Sequence, residues 1–446
     1  MMPMMPNLHP NLNFAYKRDM ITDRYAYLPT RFPRGCLLAL LELYDSMVRH
    51  LTRLHVSGVR GWTTAAPGCI RRASGASSLL PSFQATNTSE NTTTNPSKLN
   101  RRLYTTADMQ TVKNTIAENI GGDHAHWLAP KKSQFSLDQV PDLSGKVALV
   151  TGGSEGIGYG CTHTLLSKNI SKLFIVSMSE DVAVDAIKAI REEMGEDAAS
   201  KVEWIPCDLS DWKATAAAAD RIASSTDRLD ILICNAARGI MSSQQAPSYG
   251  VDRHMAVNHI GHAVLTSRLL PVLKKTADSG NKVRVVHLAS NLHESAPKET
   301  KFESVEELNK DFGPNPQYGR TKLASILYAR YLDEHLRRQH PKILVNATHP
   351  GIVDTAQTNK WIHEVYPLGG YGMSFFAKPL KKNILHGAVS TLFAATTTEQ
   401  SGQYVAPPAI VEPGSLMSQD RHLRERLMKL TRELVKEKAG IELQDY

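Results

Sequence analysis

From Lys146 onward the chain alternates short apolar runs with helical stretches, and no other feature restricts its fold as strongly. The runs are KVALVTG (146–152), LFIVS (173–177), VEWIPCD (202–208), LDILICNAA (229–237), VRVVHLAS (283–290) and ILVNATHPG (343–351). They are short and apolar on most successive positions, the pattern of a strand buried on both faces. Helical spacing fills the gaps at 157–168, 182–194, 211–225, 251–277 and 317–339. About six such alternations predict a doubly wound α/β fold, a central parallel sheet with helices covering both faces. A helix over 383–397 and a short strand near Gln403 to Val405 follow. The last helix carries Leu423, Leu427, Leu430 and Leu434 on one face, as a surface helix does. The reading gives one domain over 142–440.

What precedes the domain has another composition. Residues 109–141 read as an N-terminal arm, and residues 1–108 as a basic leader. That leader holds 13 Lys or Arg against 6 Asp or Glu, so it carries +7 of the formal +8. The body is close to neutral. A nucleic-acid partner, which would need a cationic face, is therefore not expected. The segment QATNTSENTTTNPSK (84–98) is low-complexity, and the leader reads as largely disordered. It is Arg-rich and acid-poor like a mitochondrial transit segment, and Arg101-Arg102-Leu103-Tyr104 looks like a matrix-processing site. Asp19, Asp23 and several early prolines oppose a targeting helix, and Met109 offers an alternative start. The expected location is cytoplasmic, or the mitochondrial matrix if the leader is a transit peptide.

Other classes are excluded more directly. The most apolar run, Cys36 to Leu43, has 8 residues, against roughly 20 for a membrane-spanning helix, so no transmembrane segment is expected. Hydrophobic residues make up 41% of the chain, enough for a large core. Five cysteines at 36, 69, 161, 207 and 234 form no CxxC pair, which argues against a disulfide framework or thiolate zinc site. Cys161, Cys207 and Cys234 read as core thiols.

Two local patterns carry chemistry. Thr151-Gly152-Gly153-Ser154-Glu155-Gly156-Ile157-Gly158 lies where the first strand turns into a helix. Glycines there allow a tight turn and let a pyrophosphate approach bare N–H groups at the helix start, a Rossmann-type arrangement. Tyr318 and Lys322 form the one YxxxK in the chain. With 14 Tyr in the sequence about one chance match is expected, so the context must speak. The pair falls on a predicted helix after the fifth strand, where i, i+4 spacing puts both side chains on one face. A lysine ammonium beside the ring is expected to lower the tyrosine pKa and suit it to general acid–base work.

With these motifs in order, the chain resembles the short-chain dehydrogenase/reductase family over about 300 residues. TGGSEGIG (151–158) resembles the cofactor turn, CDLS (207–210) the adenine element, and CNAA (234–237) the family's NNAG with Ala237 in place of Gly. VNHIGH (257–262), HLASNLH, YGRTK and HPGIVDT (349–355) complete the set, and VNHIGH is most similar to the retinol-dehydrogenase-like branch. The resemblance implies four catalytic residues. Tyr318 would pass the proton, Ser290 would orient the substrate oxygen, Lys322 would hold the nicotinamide ribose, and Asn258 would position a water behind it. It further implies that NAD(P) is bound by Thr151, Gly152, Ser154, Glu155, Gly156, Ile157, Gly158, Asp208, Leu209, Asn235, Ala236, Tyr318, Lys322, Pro350, Gly351, Val353 and Thr355. The partner would be a small-molecule alcohol or carbonyl compound, lipophilic or bulky, and a homodimer is compatible with the family.

Details qualify this. Ser177, Met178 and Ser179 end the second strand without a basic residue, and Glu155, Glu180 and Asp181 are near in sequence. A 2′-phosphate needs a cation, so the lean is toward NAD. His254, His259 and His262 share a helix, but no Asp or Glu completes a metal set, and no metal is expected. Trp361, Tyr366, Tyr371, Phe375 and Phe376 fall where a lid over an apolar substrate pocket would lie. The rival readings are a non-catalytic dinucleotide-binding regulator on the same fold and an interaction protein acting through its leader.

Overall fold

The computed structural model describes residues 113–114, 116–118, 127–351, 353 and 384–444. The chain divides into two units, Met1–Thr106 and Ala107–Tyr446. All that follows concerns the second; the leader lies outside the described residues.

Eight strands form one sheet in the order β3-β2-β1-β4-β5-β6-β7-β8. They are β1 Val147–Thr151, β2 Lys172–Ser177, β3 Val202–Pro206, β4 Ile231–Cys234, β5 Val283–Leu288, β6 Ile343–Thr348, β7 Tyr404–Ala406 and β8 Ile410–Glu412. Pairing is parallel from β3 across to β7, and only β7 with β8 is antiparallel. The order reverses direction between β1 and β4. That switch point is where open α/β sheets bind ligands, beyond the carboxyl ends of the strands.

Among the described residues, the longer helices that cover the sheet are α1 Gly156–Ser167, α2 Glu180–Met194, α3 Trp212–Ser225, α4 His262–Asp278, α5 Pro314–Leu336, α6 Ile384–Leu392 and α7 Arg421–Ala439. The period-2 alternation of strand side chains divides them. Val147 and Leu149 of β1 join the core under α3, α4, α5 and α7, whereas Ala148 and Val150 join the core under α1, α2 and α6. β1, β4, β5 and β6 are buried along their whole length, which explains why each is apolar on most of its positions. Leu423, Leu427, Leu430 and Leu434 of α7 are buried as the sequence pattern predicts. The arm belongs to the same body: Ala117 and Ala129 pack with Ala406 and Ile410 of the last hairpin.

Two features depart from expectation. The long helix expected over 251–277 is interrupted: a turn at Arg253–Met255 passes into a π-turn, Ala256–Gly261, before α4 begins. The short strand near 403 is also the first arm of a hairpin, with β8 after it.

Candidate active site

The glycine turn is built by steric necessity. β1 ends at Thr151, and the Gly152 N–H still bonds the Val176 carbonyl at 2.7 Å. Gly152 and Gly156 then take φ of +62° and +54°, values that favour glycine. A Cβ on Gly158 would stand 2.0 Å from the Gly152 carbonyl oxygen and 2.5 Å from Asn235 Nδ2. Helix α1 therefore begins pressed against the turn. Glu155 precedes it without a side-chain cap, leaving the first N–H groups to other partners. This bare cradle fits a dinucleotide pyrophosphate.

The loop after β4 is tied to the same turn. Asn235 Nδ2 donates to the Thr151 carbonyl at 2.8 Å, and the Asn235 and Ala236 N–H groups both donate to Thr151 Oγ1 at 2.9 Å. Ser154 and Trp204 both reach Ser177 Oγ, at 3.1 and 3.0 Å, closing the end of β2. Asp208 accepts the Ser210 N–H at 2.8 Å and pairs with Arg253 at 3.3 Å. Leu209 is buried, and its carbonyl lies where a Cβ on Gly261 would come within 2.4 Å.

Asn258 sits in the π-turn with its amide fully engaged. Its Oδ1 accepts the Arg238 N–H at 2.7 Å, and its Nδ2 donates to the Arg238 carbonyl at 3.0 Å and to Thr321 Oγ1 at 2.9 Å. Thr321 lies between Tyr318 and Lys322, and its hydroxyl donates to the Tyr318 carbonyl at 2.8 Å. One side chain thus couples the β4 loop to the helix of the YxxxK pair.

Ser290 follows β5 and caps a short 3₁₀ turn, Asn291–Ser295. That turn rests on α5 because residue 319 is glycine: a Cβ there would stand 2.3 Å from Ser295 Oγ and 2.5 Å from the Leu292 carbonyl oxygen. Lys322 is buried, and its Nζ donates to the Leu288 carbonyl, two residues before Ser290, at 2.8 Å. The same ammonium stands 5.4 Å from the Tyr318 ring centroid.

Here one expectation needs correction. Lys322 does not lower the Tyr318 pKa in this geometry; burial pushes the phenol above its ordinary value. Burial also pulls the Lys322 ammonium down to about 7. The reason is placement: the ammonium lies over the ring and spends its hydrogen bond on Leu288, so burial alone governs both groups.

Pro350 and Gly351 leave β6, Gly351 with φ of +75°. Val353 is buried where a Cβ on Gly387 of α6 would meet its side chain at 2.7 Å. Thr355 and the aromatic residues Trp361, Tyr366, Tyr371, Phe375 and Phe376 lie outside the described residues.

The three helix histidines do not converge. His254 meets the Gly239 carbonyl at 3.0 Å, His259 meets Thr431 Oγ1 at 2.8 Å, and His262 meets Thr151 Oγ1 at 2.9 Å. A different set lies close: ligand atoms of Glu118, His349 and Glu412 fall within 4.8 Å of one another. Its members are scattered in sequence and gave no signal there. His349 Nδ1 already accepts the Gly351 N–H at 3.2 Å; a metal on the other ring nitrogen would require Nδ1 to carry the hydrogen, breaking that bond. Cys161 and Cys234 are buried thiols held up at about 12, and burial likewise raises Cys207, so none is a thiolate near neutral pH.

A doubly wound sheet, a glycine turn after its first strand, and a Tyr–Lys pair beside the end of β5 define a dinucleotide-dependent oxidoreductase as a class. Residues 146–299 match the short chain dehydrogenase family. A Neurospora crassa protein named as an oxidoreductase and as mitochondrial is 51% identical over 338 residues, covering 75% of this chain and 81% of that one. The chain belongs to the short-chain dehydrogenase/reductase family, and it is an NAD(P)-dependent oxidoreductase by that membership. A zebrafish polyprenol dehydrogenase is 29% identical over 306 residues, covering 68% of this chain and 90% of the other. A crystal structure of an uncharacterised Mycobacterium paratuberculosis protein shares the fold, with a TM-score of 0.52 at 22% identity over 70% of this chain and 99% of that one. No helix among the described residues is long and apolar enough to cross a membrane.

Proposed function

We propose that the protein interconverts an alcohol and its carbonyl compound, with Tyr318 as the general acid or base. The observation that carries this reading is the placement of Tyr318 and Lys322 on one face of α5, with Lys322 bonded to the strand end that leads into Ser290. The glycine turn, the Asn235–Ala236 loop and the Pro350–Gly351 exit fit NAD(P), which when bound supplies or takes the hydride. Tyr318, raised by burial, is a phenol at neutral pH and is ready to donate its proton to a developing alkoxide. Ser290 donates a hydrogen bond to the same oxygen and fixes its direction. Lys322, with its pKa near 7, takes and returns a proton at little cost in this pH range. Asn258 acts by holding Arg238 and Thr321 in place, and so the α5 face that bears the pair.

NAD is favoured over NADP. Ser177 is occupied by Ser154 and Trp204, and no cation stands at positions 177–181. Two other basic residues are already engaged: Lys172 pairs with Glu203 at 3.2 Å, and Arg238 donates to Gln244 at 3.0 Å. The zebrafish polyprenol dehydrogenase relative supports a lipophilic substrate. The name of the Neurospora relative supports reading residues 1–108 as a mitochondrial transit segment rather than a cytoplasmic extension.

The test is Tyr318→Phe, assayed against a panel of alcohols and carbonyl compounds with both cofactors. Phe keeps the ring packing and removes only the proton. Turnover should fall on the order of 100- to 10,000-fold while cofactor binding stays near wild type. Retained turnover with any compound that wild type accepts overturns the assignment.

A further inference from the structure

His262 is buried at the first position of α4 and spans two parts of the site. Its Nδ1 lies 3.0 Å from the Asn258 carbonyl oxygen and its Nε2 lies 2.9 Å from Thr151 Oγ1. A carbonyl cannot donate, so Nδ1 carries the hydrogen. Burial lowers the ring to about 4, so it is neutral and Nε2 is an acceptor. The Thr151 hydroxyl therefore donates to His262. Its lone pairs are then filled by the Asn235 and Ala236 N–H groups. The result is a directed chain from the β4 loop, through the end of β1 and the imidazole, to the π-turn carbonyl. From the other side, the Asn258 side chain grips Arg238 in the same loop. The loop at 235–238 is thus fastened at both ends to the turn that carries Asn258.

We infer that His262 is a positioning residue for the cofactor-binding loop, its imidazole fixing where Asn235 and Ala236 stand relative to the glycine turn. The inference rests on the dinucleotide-binding reading above. It concerns binding geometry and not proton transfer, because every hydrogen in the chain is committed to a static bond. Leucine at this position would remove both bonds, but the fold has a fallback: the Thr151 hydroxyl also has the Ile233 carbonyl 3.5 Å away. The loop would lose the imidazole's hold on the Thr151 hydroxyl while the sheet kept its ladder. Glutamine can place an acceptor where Nε2 stands, whereas asparagine can place a donor only where Nδ1 stands. The two variants therefore divide the chain at the imidazole.

The experiment is fluorescence titration of the full chain with NADH and with NADPH, alongside thermal melts. The variants are His262→Leu, His262→Asn, His262→Gln, and Thr151→Val with and without His262→Leu. His262→Leu should weaken the better-bound cofactor about tenfold, the scale of one lost buried hydrogen bond, at unchanged stoichiometry. His262→Gln should recover most of that loss and His262→Asn little of it. Thr151→Val and the double variant should bind alike, because both have broken the same chain. A purely structural role would instead lower the melting temperature and the number of binding sites without moving Kd, and that outcome overturns the proposal. Wild-type affinity in His262→Leu overturns it too. If the wild-type protein binds neither cofactor, the dinucleotide reading itself falls and this inference with it. If His262→Leu does not fold, wild-type affinity in His262→Asn decides against the proposal, and a tenfold loss with rescue in His262→Gln decides for it.

Discussion

Replacing Lys322 by methionine should abolish activity and stabilise the fold, with a pH dependence fixed in advance. The buried ammonium has its pKa lowered from 10.5 to about 7, with desolvation as the cause. Unfolding returns the amine to water, where it holds its proton. Between pH 7 and 10.5 the unfolded chain therefore binds more protons at this position than the folded one, and wild-type stability rises with pH across that window. Below pH 7 the penalty is complete and constant. From 10.5 to about 7 the gap corresponds to roughly 5 kcal/mol at about 1.4 kcal/mol per pKa unit, and roughly 4 of it remain at pH 7, where half of the folded amines have lost the proton. Methionine keeps the volume and the stem but abandons the Leu288 carbonyl, which costs about 1–3 kcal/mol. The net gain near neutrality is then roughly 1–3 kcal/mol. It should shrink by up to about 1.4 kcal/mol per pH unit, vanish on the way to pH 10 and reverse beyond it. Paired urea titrations of the two proteins from pH 7 to 10 measure the difference directly, because groups common to both cancel. A stability difference that is flat over this range would refute the argument that burial, rather than a compensating charge, governs this lysine.

Other outcomes follow from the same geometry. Gly319→Val should lower the melting temperature by the equivalent of about 1–3 kcal/mol and cut turnover at least tenfold, because its side chain would drive the Leu292–Ser295 turn off α5; wild-type kinetics in this variant would show that the turn can shift without disturbing Ser290. A chain beginning at Met109 keeps the arm residues Ala117 and Ala129, so it should melt within a few degrees of the full chain, and insolubility of the short form alone would contradict this. NADH should bind about tenfold more tightly than NADPH, equivalent to about 1.4 kcal/mol; preference for NADPH in a fluorescence titration would mean that a basic residue distant in sequence reaches the 2′-phosphate.

The parallel core was readable because its strands are buried on both faces, which forces Val, Ile and Leu onto consecutive positions. β8 was not readable: Ile410–Glu412 is three residues long and exposes Val411, so it has no pattern to show. The glycine turn and the YxxxK spacing are local, and sequence order alone locates them. Asn258 was found by resemblance, but its partners were not, since Arg238 and Thr321 belong to other elements. His262 was noticed only as one member of a histidine row; its partner Thr151 is 111 residues away. Gly319 did leave a sign. A glycine inside a long helix costs about 1 kcal/mol against alanine, and its presence marks a close approach that only the fold identifies.

The π-turn at Ala256–Gly261 amounts to one residue more than an α-helix would hold between Met255 and His262. The extra residue is taken up within the turn itself, so α4 keeps the phase it would have behind an unbroken helix. Each residue of an α-helix advances the face by about 100°. Without the turn to absorb it, the same extra residue would rotate all of α4 relative to what precedes it. Val264, Leu265, Leu269 and Leu273, each 0% exposed, would leave the packing they fill, and His262 would turn from Thr151. The irregular turn is therefore what lets seventeen residues of regular helix stay in phase while the stretch of chain that carries Asn258 holds one residue more.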